Sequence, residues 1–75
     1  MKQKKYGHAL KMFKLAADQG DILSQRRLAD LYALGLGCNV DHGEAIKYYE
    51  LAMSQGDELA KKSLELQNMP LLNLE

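Results

Sequence analysis

The chain repeats itself at a fixed interval of 36 residues. A shift by that interval superposes Gly7 on Gly43, Ala9 on Ala45, Lys11 on Lys47, Leu15 on Leu51 and Ala16 on Ala52. It also superposes Gln19 on Gln55, Gly20 on Gly56, Asp21 on Asp57, Leu23 on Leu59 and Leu28 on Leu64. These are 10 identities in the window 7–28 against 43–64, with no gap. Ordinary composition would give roughly one or two by chance. A period of this length means a solenoid, in which each unit buries its apolar face on the next. Such arrays recognise other proteins, so the repeat points to binding before chemistry.

Within each repeat the apolar residues recur at helical spacing. Tyr6, Ala9, Leu10, Phe13, Ala16 and Ala17 mark one face of a helix from about Gln3 to Gln19. Gly20 suits the left-handed position that ends a helix, and Asp21 can cap the next one. The second helix runs to Leu34 with Leu23, Leu28, Leu31 and Tyr32 inward, until Gly35-Leu36-Gly37 breaks it. Asp41 with Glu44 three residues later has the spacing of a capping box and opens the third helix. That helix turns inward Ala45, Ile46, Tyr49, Ala52 and Met53. A fourth, from about Asp57 to Asn68, carries Leu59, Ala60, Leu64 and Leu66 and is stopped by Pro70. Short turns at Gly20-Asp21 and Gly56-Asp57 force antiparallel hairpins. No segment alternates as a strand does.

The residues 28–41, Leu-Ala-Asp-Leu-Tyr-Ala-Leu-Gly-Leu-Gly-Cys-Asn-Val-Asp, resemble the L-G-x-x-Y-x-x-G-x-G-V-x-x-D block of the Sel1-like repeats. Ala45, Tyr49, Ala52 and Gly56 are similar to the A-x-x-x-(W/Y)-x-x-A-A-x-x-G block that follows it. Ala29 stands in place of the family's glycine, Cys38 of its valine and Met53 of its second alanine. The resemblance implies an all-α fold, a right-handed α-α superhelix of two antiparallel hairpins over 3–34 and 41–69 in a single domain. A short tail, 70–75, follows; its Leu71, Leu72 and Leu74 are expected to fold back over the fourth helix or to dock on another copy. The repeat fades after Leu64, where Gln67 and Asn68 stand at the places of Leu31 and Tyr32, which predicts a terminal, capping-like unit.

The family implies a scaffold or adaptor for protein partners, with no catalytic site and no cofactor. A small regulator that blocks a single partner is the alternative. In solenoids of this type the first helix of each hairpin lines the concave surface. On a wheel of about 100° per residue, His8, Met12 and Leu15 flank the core of the first helix, and Glu44, Tyr48 and Leu51 stack beside them. This ladder is either an exposed groove for a peptide or helix, or packing between neighbouring hairpins.

Other chemistries find little support. Cys38 and His42 are two potential ligands where zinc needs three or four, and Cys38 reads as a small buried hydrophobe. Capping accounts for Asp41 and Glu44. Gly35-Leu36-Gly37 is too short for a phosphate loop and no Gly-Lys-Ser/Thr follows. Cys38 is the only cysteine, so no disulfide forms within the chain.

The net charge is zero, but residues 1–37 hold seven Lys/Arg and three Asp/Glu, and residues 38–75 hold three and seven. A balance of +4 against −4 is too diffuse for nucleic acid, yet it suits head-to-tail self-association. No apolar run approaches the about 18 residues of a membrane span. His8, Lys11 and Lys14 interrupt any secretory signal after the basic start. The cytoplasm is the expected location.

Overall fold

The computed structural model describes residues 2–68. Four helices follow one another: α1 Lys2–Asp18, α2 Ile22–Leu34, α3 His42–Ser54 and α4 Glu58–Asn68. There is no strand among the described residues. The tail leucines Leu71, Leu72 and Leu74 lie outside them.

The two hairpin turns are built from the same atoms 36 residues apart. In the first, Gly20 N–H donates to Ala17 O (2.9 Å) and Asp21 N–H to Ala16 O (3.1 Å). In the second, Gly56 N–H donates to Met53 O (2.9 Å) and Asp57 N–H to Ala52 O (3.1 Å). Both are the paired closing bonds of a Schellman motif, which satisfies carbonyls that the helix end would leave open. The glycines sit at φ +96° and +97°. The repeat in sequence is therefore a repeat in backbone geometry.

Each helix packs on the next along the chain, and the contact of α2 with α3 is the most extensive. The seam between the hairpins is thus as much a core as either hairpin. The Cα trace is only 16 Å thick, about two helices deep given a backbone radius of about 2.3 Å and interaxial spacings of about 8–10 Å. Leu28 is fully buried at the centre, surrounded by Ala17, Ala29, Ala45, Ala52 and Ala60. Small residues bring the helix axes close, and Leu28 contributes about 1.5–3 kcal/mol by burial.

Several inward assignments differ. Leu23 and its repeat partner Leu59 are exposed, as is Met53. Gln25 is buried instead. Its amide nitrogen donates to Ala17 O (3.1 Å) and its oxygen accepts from Gln55 Nε2 (2.9 Å), so both ends of the amide are satisfied across two helix contacts. Cys38 is half-buried, not enclosed. Its thiol lies 3.8 Å from Leu31 O and 3.9 Å from Leu36 O, and burial pushes its pKa up.

The capping box at α3 is only half formed. Asp41 accepts from Glu44 N–H (3.1 Å), but Asp41 N–H donates to Tyr32 O (2.9 Å), so Glu44 is not needed to satisfy it. The bond to Tyr32 ties the end of the connector back to α2.

Candidate protein-interaction surface

The candidate surface is the flank shared by α1 and α3. On α1, His8, Met12 and Leu15 are exposed at spacings of four and three, which places them on one side of the helix. On α3, Leu51 is exposed and Glu44 is half-buried.

Of the two alternatives for the ladder, Tyr48 takes packing between the hairpins: it is 3% exposed. Its ring stacks on Tyr32 of α2, with centroids 6.2 Å apart and planes 12° from parallel. Lys14 of α1 donates to its hydroxyl (3.0 Å). Tyr48 therefore belongs to the seam between the hairpins, where α1, α2 and α3 meet. Met12, its partner one repeat earlier, is 53% exposed. The wheel position is the same for both; what differs is the helix packed over it.

Lysines rim this face. Lys14 Nζ lies 5.5 Å from the Tyr48 ring centroid and Lys47 Nζ lies 5.4 Å from it, both within cation–π range. The hydrogen bond to Tyr48 raises the pKa of Lys14, because the phenol oxygen stabilises the ammonium. Lys11, Lys14, Leu15 and Asp18 line a shallow depression beside it. The Lys14–Asp18 ion pair, at 3.9 Å and open to water, adds little.

The remaining polar contacts serve the fold. Arg26 Nε donates to Asp57 Oδ2 (2.9 Å), joining α2 to the α3–α4 turn. Tyr49 donates its hydroxyl to Asp30, and burial followed by that bond raises its pKa. Neither link was visible in the sequence, since each joins residues 31 or 19 apart. The repeat marks only one of these positions: Asp57 is a copy of Asp21, whereas Tyr49 replaces Phe13. Among the described residues no three His, Cys, Asp or Glu side chains come close enough to hold a metal ion. No helix among them is long and apolar enough to cross a membrane.

No curated protein and no solved structure matches this chain. The family model described as Sel1 repeat matches residues 2–21 and 22–57. Its second unit runs from α2 through α3 and so takes in the most extensive helix contact of the molecule. Repeats of this family are generally protein-interaction modules. With most of its length covered by two successive matches, and with four helices in the order those repeats require, the chain belongs to the Sel1 repeat family.

Proposed function

We propose that the chain is a cytoplasmic scaffold that binds a protein partner without catalysing a reaction. The α1/α3 flank receives an extended or helical segment of that partner. The observation that carries this reading is the exposure of Met12, Leu15 and Leu51 on equivalent faces of successive first helices, rimmed by Lys11, Lys14 and Lys47. Apolar side chains with room to adapt, beside a set of cations, suit a segment that alternates apolar and acidic residues. His8 and Glu44 mark the ends of the strip. Tyr48 supports it from beneath by holding Lys14 in place.

A displayed library of random peptides, selected on the immobilised protein, tests the reading. Apolar-acidic peptides should be enriched. Their capture should fall about tenfold or more, ~1.4 kcal/mol, with Leu15→Ser combined with Leu51→Ser. It should persist with Leu59→Ser, an exposed leucine on α4. Equal capture by the double variant would overturn it. Tyr48 is kept intact in this design because its removal would unpack the seam.

A further inference from the structure

One face of the α3–α4 hairpin is filled by α2, and the same face of the α1–α2 hairpin is not filled by any described residue. On α3 the incoming helix buries Ala45 and Ala52 completely. Three polar links hold it: Arg26 to Asp57 (2.9 Å), Gln25 to Gln55 (2.9 Å) and Asp30 to Tyr49. One period earlier, Ala9 and Ala16 are only half-buried. There the receiving residues are Asp21 for Asp57, Gln19 for Gln55 and Phe13 for Tyr49. Ala9 and Phe13 line an open groove with Tyr6, Arg27 and Leu34.

The helix that repeats α2 is α4, and three of the residues it offers match that groove, while Glu65, at the place of the buried Ala29, must turn its carboxylate to the rim. Lys62 stands for Arg26, Lys61 for Gln25 and Leu66 for Asp30. All three are exposed, Leu66 at 64%. Lys62 keeps the charge that complements Asp21. Lys61 can donate to the amide oxygen of Gln19. The hydrogen-bonded pair Tyr49–Asp30 becomes Phe13 and Leu66, polar on both sides inside the chain and apolar on both sides at its two ends. A single polar member would have been left unpaired in a buried contact, at a cost of about 1–3 kcal/mol. Matched replacement of both members is what a real contact between these ends requires.

We infer that α4 of one copy docks in the α1–α2 groove of a second copy, reproducing the seat of α2 on α3–α4. The contact is heterologous, so it leaves a groove at one end and an α4 at the other and adds further copies. The charge complementarity is local, Lys62 on Asp21, since α4 with Glu58, Lys61, Lys62 and Glu65 is itself neutral. The inference uses a different face from the peptide-binding reading and stands apart from it.

Sedimentation of the full chain from about 10 μM to 1 mM at low salt tests it. The weight-average mass should climb past that of two 8.4 kDa chains, and 1 M salt should reduce the association. Leu66→Asp with Lys62→Glu blocks the tail, and Ala9→Lys blocks the head. Each variant should remain helical by circular dichroism and monomeric alone, and the two mixed should form a heterodimer and nothing larger. Asp21→Asn, which can still cap α2, should weaken association about tenfold, and it carries the head-side test should Ala9→Lys not fold. Three results would overturn the inference. One is a monomeric wild type at every concentration, which would give the groove to a helix of another protein or of another repeat. The others are variants that associate like the wild type, and a mixture that forms no heterodimer.

Discussion

A Cβ on Gly37 would lie 2.6 Å from the carbonyl carbon and oxygen of Tyr6 and 2.8 Å from Gly7 N, in a backbone held at φ +81°. The obstacle is backbone on α1, which has no rotamer to move. The left-handed conformation alone costs a side chain about 1–2 kcal/mol, and the clash adds to it. Gly37→Ala should therefore lower the melting temperature by more than the about 4–8 °C that 1 kcal/mol moves in a domain of this size. Gly20→Ala, where nothing lies within 4 Å of the added carbon, should cost clearly less. Thermal unfolding followed by circular dichroism compares the two, and equal losses would contradict the close approach. At this scale the sequence was legible where a residue answers a local demand, as in the glycines and caps. It was not legible for Tyr48 and Gln25. Their burial depends on which helix crosses over them, and a single-helix wheel holds no record of that.

Helix boundaries were readable to within a residue or two because each is set by a local signal. Asp21 shows how. Its carboxylate accepts from Ser24 N–H (2.9 Å) and from the Ser24 hydroxyl, and these two bonds hold its pKa below the usual carboxylate value. A group whose pKa is lower folded than unfolded stabilises the fold above the unfolded value. That stabilisation disappears as the pH falls through the depressed folded value. The cap should thus be intact at pH 5 and above and be lost only below about 4. Asp21→Asn retains a capping oxygen without the titration, so its stability should change less between pH 5 and pH 2 than that of the wild type. Urea unfolding at several pH values measures this, and parallel acid losses in the two proteins would contradict the assignment. The one element-level signal that misled was Asp41 with Glu44. The spacing is that of a reciprocal box, yet a carbonyl 9 residues upstream of Asp41 had already taken its N–H.

As a whole the molecule is held together across α2 and α3, the contact that the sequence hid best. The repeat and its connector were enough for the four helices and the family, since both are periodic in the chain. The polar links of the seam are not periodic: Tyr49–Asp30 has no copy at Phe13. Tyr49→Phe removes a buried hydrogen bond to a carboxylate and should cost about 1.5–3 kcal/mol. Phe13, one period earlier, has no hydroxyl and no such bond to lose, so Phe13→Tyr should leave the stability of the monomer nearly unchanged. Chemical denaturation of the two variants tests the asymmetry. Equal destabilisation would mean that the seam does not rely on that bond.

Asp57 gives the seam a further property. One of its oxygens accepts from Leu59 N–H (3.0 Å) and Ala60 N–H (3.4 Å) at the start of α4, while the other holds Arg26 of α2. Starting a helix is the costly step of forming one, and here the residue that eases it is held by α2, a helix of the first hairpin. The carboxylate that opens α4 is thus also a tie to the first hairpin, so that a change at this one side chain reaches a helix start and the seam together.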